Sequence, residues 1–122
     1  MILVDSSVWV DHLQRGDARL AALLNASRVL GHPFVLGELA LGNLHQRALI
    51  HDSLQNLPQA IVAGDGEVVQ FITAQHLFGK GIGYVDAHLL ASVRLTPGSR
   101  LWTRDRRLQV LAEGLGVGAG LG

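Results

Sequence analysis

The sequence of 122 residues contains no cysteine, which excludes disulfides and thiolate-bound metals. Charged residues are scarce as well, at 16% against about 25% in an average domain. Ten acidic residues balance ten Lys and Arg, so the net charge does not indicate a nucleic-acid partner. Because 48% of the residues are hydrophobic, we expect more apolar surface than a small monomer can hide. The composition therefore favours oligomerisation or a tight protein partner.

Long hydrophobic runs are also missing. Asp5 and Asp11 interrupt the opening apolar run too early for a signal peptide, and no later run is long enough to span a bilayer. We therefore expect a cytoplasmic protein with no membrane association. The length and the absence of linkers or repeats predict one domain over residues 1–122. Five glycines in the last nine residues, 114–122, predict a loose tail with a short edge strand at Val117.

Several catalytic motifs are absent too. The six histidines contain no HExxH pair, and no Ser or Cys nucleophile motif accompanies them, so we interpret them as structural or surface groups. The glycine-rich segment 78–83 lacks the spacing of a dinucleotide-binding or phosphate-binding loop, and we interpret it as a flexible connection. Trp9 and Trp102 are expected to be core anchors beside their strands.

The start of the chain is the feature around which the rest is interpreted. Residues 2–4 form a short apolar run, typical of a strand buried on both faces of a parallel sheet. Asp5 ends this run, and Ser6 and Ser7 are suitable N-caps for a helix that begins near Val8. Open α/β sheets bind ligands at the carboxyl ends of their strands, and helix N-termini favour negative charge. Asp5 is therefore either a ligand-binding carboxylate or only a capping residue.

Short apolar runs alternate with helical patterns along the chain. Strands are expected at 2–4, 29–30 and 101–103, with helices between them and the edge strand at Val117. This alternation predicts an α/β fold, a three-layer α/β/α sandwich with a mostly parallel central sheet. Asp105 repeats the arrangement of the N-terminus, since it follows a predicted strand and precedes a predicted helix.

Two further acids stand out by position. Glu38 lies within an apolar helix predicted over 33–42, which favours a polar pocket over bulk water, although an exposed Glu there needs no special explanation. Asp86 falls in the first turn of a helix that begins near Tyr84, where a carboxylate is often only structural.

Carboxylates gathered in one pocket repel each other unless a cation neutralises them. Without cysteine or a paired histidine motif, the expected cation is hard, such as Mg²⁺ or Mn²⁺, which prefers oxygen ligands. Such sites bind phosphates and support attack by water on a phosphodiester. Four basic residues flank Asp105 and are expected either to bind phosphates or to form a solvated helix face: Arg100, Arg104, Arg106 and Arg107.

Four segments together resemble the PIN-domain proteins, and most closely the VapC-type toxins of bacterial toxin–antitoxin pairs. The segments are 3–9, 35–39, 85–91 and 101–108, and they occur in this order over nearly the whole chain. The resemblance implies a Mg²⁺- or Mn²⁺-dependent endoribonuclease that hydrolyses RNA and so restrains translation and growth. It also implies a homodimer and a cognate antitoxin whose C-terminal segment covers the acidic pocket. The glycine-rich tail departs from the family pattern.

The resemblance also implies roles for individual residues. The acidic quartet of the family matches four positions, namely Asp5, Glu38, Asp86 and Asp105. In the implied mechanism Asp5, Asp86 and Asp105 hold the metal. Glu38 is either a further ligand or orients the attacking water.

Hydroxyl and basic residues complete the implied site. Ser6 matches the hydroxyl residue after the first acid, and Thr103 the one before the last acid. Arg104, Arg106 or Arg107 is expected to bind RNA phosphate and to stabilise its developing charge.

Two non-enzymatic alternatives stay open. The first is a phosphoryl-receiver domain with Asp65 as its acceptor, but the adjacent acidic pair of receivers is missing because Ser6 follows Asp5. In addition Lys80, the only lysine, is not at the end of a predicted strand. The second alternative is a PIN-like scaffold that only binds protein, and such a scaffold is expected to tolerate Asp5→Ala.

Overall fold

A parallel three-stranded sheet forms the centre of the protein, which a computed structural model describes for residues 1–121. The strand order is β2-β1-β3, so β1 (Ile2–Val4) lies between β2 (Val29–Leu30) and β3 (Arg100–Trp102). Ile2 of β1 is opposite Val29 on one side and Arg100 on the other. The predicted strands are confirmed, and β3 begins one residue earlier than expected.

Seven helices pack around this sheet within residues 1–121 and complete an α/β sandwich, as predicted. They are α1 (Ser6–Arg15), α2 (Ala18–Asn25), α3 (Pro33–Ala40), α4 (Arg47–Gln55), α5 (Asp65–Ala74), α6 (Tyr84–Leu95) and α7 (Arg106–Gly114). In this part of the chain, no helix combines the length and the apolar character that passage through a bilayer requires.

The most deeply buried helix is α6. Seven consecutive residues, 87–93, are buried, and they include Leu89 and Leu90. Full burial of a leucine side chain stabilises the fold by about 1.5–3 kcal/mol, so α6 is firmly anchored. Trp9 and Trp102 are also buried, which confirms their expected place in the core. Because α6 is fixed along its length, the position of its first turn, which contains Asp86, is fixed as well.

The glycine-rich end of the chain is attached to the sheet. The N–H of Leu101 donates to the carbonyl of Val117 at 2.7 Å, and the N–H of Ala119 donates to the carbonyl of Leu101 at 2.9 Å. The expected edge strand is thus a single bridge, between Leu101 and Gly118. The expectation of a loose tail is wrong for these residues because their backbone groups are paired. Gly122, which also belonged to that expectation, lies outside the described residues.

His32 is a buried structural histidine at the start of α3. Its Nδ1 accepts a hydrogen bond from the N–H of Phe34 at 3.0 Å, and its Nε2 lies 2.9 Å from Ser92 Oγ. Burial lowers the pKa of His32 to about 4, and the neighbouring His88 acts in the same direction. The neutral ring is therefore the form that the fold accommodates, in agreement with its interpretation as a structural group.

Acid is expected to destabilise the fold through His32. Above pH 6.5, the usual pKa, the ring is neutral in both the folded and the unfolded chain, and as the pH falls from there towards 4 only the unfolded chain gains the proton. The free energy of unfolding should therefore be lower by about 2 kcal/mol at pH 5 through this residue alone. Urea unfolding of the wild type and of His32→Asn at pH 5 and pH 7.5 measures this change in the free energy of unfolding. The variant keeps a capping oxygen but should lose this part of the pH dependence. Identical pH dependence in both proteins would contradict the assignment.

Candidate active site

Asp5 lies at the carboxyl end of the central strand and is only 5% exposed. Its Oδ2 accepts hydrogen bonds from the hydroxyls of Ser7 at 2.7 Å and Thr103 at 2.8 Å. Asp5 occupies the N-cap position of α1, and its side chain makes no capping hydrogen bond. The expected serine cap near Val8 is therefore wrong, because α1 already begins at Ser6. Side-chain hydroxyls, and not the helix N-terminus, orient the Asp5 carboxylate.

Ser7 is the site residue that the sequence interpretation missed. Besides donating to Asp5, its hydroxyl accepts a hydrogen bond from the N–H of Arg104 at 3.0 Å and lies 3.4 Å from Thr103 Oγ1. It thereby connects the end of β1 to the segment that follows β3. The position of Ser7, two residues after a carboxylate at the end of a strand, is a signal that could have identified this contact. Short polar side chains near the start of a helix often form such local hydrogen bonds.

Glu38 approaches the same region from α3. The hydroxyl of Ser6 donates to Glu38 Oε1 at 3.0 Å. Loss of water around the carboxylate raises the pKa of Glu38 despite this hydrogen bond, and the negative charges of Asp5 and Asp86 raise it further. Glu38 is nevertheless exposed to solvent and therefore lies at the rim of the group of four acids. The apolar pattern of the helix favours an enclosed polar pocket, which the structure does not show for this residue.

Asp86 belongs to the first turn of α6, as expected. Its Oδ2 accepts a hydrogen bond from the N–H of Gly83 at 2.9 Å, so it has the structural role that first-turn carboxylates often have. Burial raises the pKa of Asp86, and the neighbouring carboxylates of Asp5 and Asp105 raise it further. Asp86 therefore both holds the N-cap residue of its helix, Gly83, and interacts with other acids.

Asp105 is the N-cap of α7. Its Oδ1 accepts hydrogen bonds from the N–H groups of Arg107 at 3.0 Å and Leu108 at 3.2 Å. The N–H of Asp105 in turn donates to Thr103 Oγ1 at 3.1 Å. Thr103 therefore bridges two acids, since the same hydroxyl that accepts from the Asp105 backbone donates to the Asp5 carboxylate.

The four predicted acids thus interact at one edge of the sheet. Asp5 raises the pKa of both Glu38 and Asp86, and Asp105 raises that of Asp86. Across residues 1–121, no three acidic or histidine side chains stand close enough together to form a preassembled metal site. The donor set nevertheless suits a hard divalent cation by its chemistry, because it consists of carboxylates that repel one another when ionised.

Arg104 does not have the position expected of a phosphate-binding residue. Its guanidinium donates to the carboxylates of Asp11 and Asp17, and it lies 5.7 Å from the centre of the Trp102 ring. Two acids already neutralise this guanidinium, so we correct the expected role of Arg104 in binding RNA. Arg104 instead connects the segment after β3 to the middle of α1 and to the N-cap of α2.

The other basic residues near Asp105 differ from Arg104. Arg106 and Arg107 are exposed, and Arg107 Nη1 donates to the carbonyl of Gly81 at 3.4 Å. Arg100 donates to the carbonyls of Gly116 and Gly118 at 3.3 Å each, at the tail. Arg106 and Arg107 are therefore the basic groups of this run that remain accessible beside the acidic site.

Comparison with known proteins identifies the family. The PIN domain family matches residues 2–114, and the chain belongs to this family. Two proteins of Mycobacterium tuberculosis named "Ribonuclease VapC32", from strains CDC 1551 / Oshkosh and ATCC 25618 / H37Rv, are each 49% identical to this chain over 117 residues. The aligned region covers 96% of this chain and 94% of each relative. The family indicated by the four motifs is therefore confirmed.

The receiver-type alternative is wrong, because the chain belongs to a different family. Its supposed acceptor, Asp65, begins α5 and does not end a strand. Asp65 Oδ1 accepts a hydrogen bond from the hydroxyl of Tyr84 at 3.0 Å and lies 3.1 Å from His88 Nε2. Asp65 therefore connects α5 to the first turns of α6.

Proposed function

We propose that this chain is a metal-dependent endoribonuclease that hydrolyses phosphodiester bonds of RNA and acts as the toxin of a toxin–antitoxin pair. The observation that carries the proposal is the convergence of acids from different elements of a PIN-domain fold: the Thr103 hydroxyl links Asp5 to the backbone of Asp105, and Ser6 donates to Glu38. The raised pKa values of Glu38 and Asp86, to which the neighbouring carboxylates contribute, agree with this arrangement. The name of the two relatives, "Ribonuclease VapC32", supports RNA as the substrate. The protein-binding scaffold has no comparable support, because a scaffold has no need for mutually repelling carboxylates.

In this proposal Asp5, Asp86 and Asp105 hold a Mg²⁺ or Mn²⁺ ion. The ion would neutralise their charge and supply a Lewis acid to the phosphodiester. Ser7 and Thr103 keep the Asp5 carboxylate in one orientation through their hydrogen bonds. Thr103 also restrains the backbone at Asp105. The hydroxyls therefore position the ligands and do not themselves react.

Glu38 has the properties of a group that orients the attacking water and accepts its proton. It lies at the rim, is accessible to solvent, and is held by the Ser6 hydroxyl. A carboxylate with a raised pKa is a better proton acceptor than an ordinary one. We therefore assign Glu38 to orient water for attack on phosphorus, or to serve as an additional ligand. Arg106 and Arg107 are assigned to the RNA phosphates.

Surface composition supports a protein partner. Leu41 is 91% exposed and Leu49 is 62% exposed, in a chain with few charges. We propose that such surfaces are covered in a homodimer and by an antitoxin that also covers the acidic pocket. The proposal places a single domain of residues 1–122 in the cytoplasm, where RNA substrates are available.

Cleavage of total cellular RNA by the purified, antitoxin-free chain tests the proposed function. We expect cleavage with Mg²⁺ or Mn²⁺, none with EDTA, and none by Asp5→Ala. Asp52→Asn is the matched control, because it removes an exposed carboxylate from α4, which contains none of the four acids, and it should cleave normally. Cleavage that persists in EDTA or in Asp5→Ala would contradict the proposal. A folded chain that neither cleaves RNA nor binds Mn²⁺ would establish the scaffold alternative instead.

A further inference from the structure

One aromatic side chain stands apart from the core. Phe78 is 62% exposed, whereas the residue before it, Leu77, is buried. The other two phenylalanines, Phe34 and Phe71, are partly buried. Isolated apolar residues are common on protein surfaces, so exposure alone does not indicate function. The backbone and the charges around Phe78 are what distinguish it.

The turn before Phe78 is a defined structure that ends α5. His76 adopts a left-handed conformation with φ of 54°. The N–H of His76 donates to the carbonyl of Thr73 at 3.3 Å, and the N–H of Leu77 donates to the carbonyl of Ile72 at 2.9 Å. This pair of hydrogen bonds is the Schellman arrangement. After this turn the side chain of Leu77 is buried in the core and the side chain of Phe78 is exposed. The centre of the Phe78 ring lies 5.7 Å from the centre of the His76 ring.

The segment after Phe78 contacts the elements of the acidic site. The carbonyl of Gly81 accepts a hydrogen bond from Arg107, which belongs to the helix capped by Asp105. The fit there is close, because a Cβ on Gly81 would lie 2.6 Å from Arg107 Nη1. Two residues later, the N–H of Gly83 donates to Asp86. The expectation that 78–83 is a flexible connection therefore does not describe this segment, which is attached to Arg107 through Gly81 and to Asp86 through Gly83.

The chain that connects Phe78 to the acidic site is no longer than a few nucleotides of single-stranded RNA. Gly83 is five positions after Phe78 in the sequence, and even a fully extended chain over five positions spans at most about 18 Å. Because Gly83 is hydrogen-bonded to Asp86, Phe78 is within a few nucleotides of the proposed cleavage site.

Exposed basic residues lie on the segment that contains Phe78 and on α7, which contacts this segment through Arg107 and Gly81. Lys80, the only lysine of the chain, is exposed two residues after Phe78, and Arg106 and Arg107 are exposed on α7. In the part of the chain that the structure describes, none of these three cations forms an ion pair with a carboxylate. Exposed aromatic rings combined with unpaired cations are the combination that binds single-stranded nucleic acid, through base stacking and phosphate contacts.

We propose that Phe78, with His76 beside it, is a stacking site for an unpaired base of single-stranded RNA, and that Lys80 and Arg107 bind the adjacent phosphates. The inference rests on the proposed function, because it assigns a substrate subsite beside the same acids. It adds that the substrate must be unpaired at this subsite. A duplex, whose bases are already stacked on each other, cannot place a base on Phe78.

Binding of a fluorescently labelled short oligouridylate, followed by anisotropy in EDTA, tests the stacking site without cleavage. Phe78→Leu keeps an apolar side chain but removes the aromatic face, and we expect binding to weaken about tenfold. Phe78→Trp should bind at least as tightly as the wild type. Val69→Ala is the control, because it shortens another exposed apolar side chain on α5 and should leave binding unchanged. Thermal unfolding should be similar for all variants, since the altered side chains are exposed.

The possible results separate this inference from the proposed function. No oligouridylate binding by the wild type, equal binding by Phe78→Leu, or equally effective competition by duplex RNA would overturn the stacking site, even if the protein cleaves RNA. Conversely, binding that depends on Phe78 in a protein without metal-dependent cleavage would leave the stacking site standing and overturn the nuclease. Loss of affinity for a protein partner alone in Phe78→Leu would assign the surface to that partner and overturn the RNA site.

Discussion

Replacement of Asp86 by Asn is expected to reduce RNA cleavage by about 100-fold or more while the fold is retained. Loss of groups that merely support a metal ligand typically costs 10- to 100-fold in metal affinity or activity, so loss of a ligand charge should cost at least as much. The amide oxygen of Asn can still accept the hydrogen bond from the Gly83 N–H that begins α6. Burial disfavours the charged form of the Asp86 carboxylate, and Asp5 and Asp105 add repulsion, so removal of this charge should not lower the free energy of unfolding.

Cleavage rate and urea unfolding of Asp86→Asn, measured side by side, distinguish the two roles of this residue. Reduced cleavage with wild-type stability supports its assignment to the catalytic site. If the variant cleaves RNA at the wild-type rate, Asp86 does not belong to that site. If the variant is markedly less stable, the charge of Asp86 contributes to folding, and reduced cleavage alone would not assign Asp86 to the catalytic site. Asp52→Asn should be unaffected in both measurements.

Replacement of Thr103 by Val is expected to affect stability and activity together. Thr103 is 2% exposed, and its hydroxyl both donates to Asp5 and accepts from the N–H of Asp105. Valine has nearly the same shape but leaves both partners without this hydrogen bond. The loss of hydrogen bonds to the buried Asp5 carboxylate and to the partly buried N–H of Asp105 should lower the free energy of unfolding by about 1–3 kcal/mol. Cleavage should fall by about tenfold or more, because two proposed ligands lose a positioning contact.

The matched control for Thr103→Val is Thr73→Val. Thr73 is exposed on α5, and its hydroxyl donates only to the carbonyl of Val69 within the same helix, at 3.2 Å. Urea unfolding and cleavage should therefore be close to wild type for the control. A Thr103→Val variant with wild-type stability and activity would show that the bridge between Asp5 and Asp105 has no role in either property.

Most of the fold could be predicted from the sequence because its signals are local. The run 2–4 followed by Asp5 identifies a buried strand and its end, and the same pattern recurs before Asp105. The first-turn position of Asp86 is likewise visible in a short window. The family motifs predict what the local pattern alone leaves open, namely that these acids and Glu38 belong to one site.

The features that sequence did not predict depend on contacts between distant segments. Arg104 is paired with Asp11 and Asp17, which precede it by 93 and 87 positions, and nothing near Arg104 in the sequence indicates these partners. The local sequence indicates only a helix cap for Ser7, because the contact of Ser7 with the backbone of Arg104 spans 97 positions. The exposure of Glu38 was not predictable for the same reason. An apolar pattern indicates that a helix packs against the core, but it does not show which of its side chains reach solvent.

Binding of Mn²⁺ by the wild type and by Asp86→Asn, followed through the electron paramagnetic resonance signal of the free ion, tests the central claim most directly. The claim is that the acids interacting around Asp5 form a divalent-metal site. We predict that the wild type removes free Mn²⁺ from solution, that Asp86→Asn binds at least about tenfold more weakly, and that Asp52→Asn binds like the wild type. Equal binding by the wild type and Asp86→Asn, or no binding by the wild type, would contradict the account.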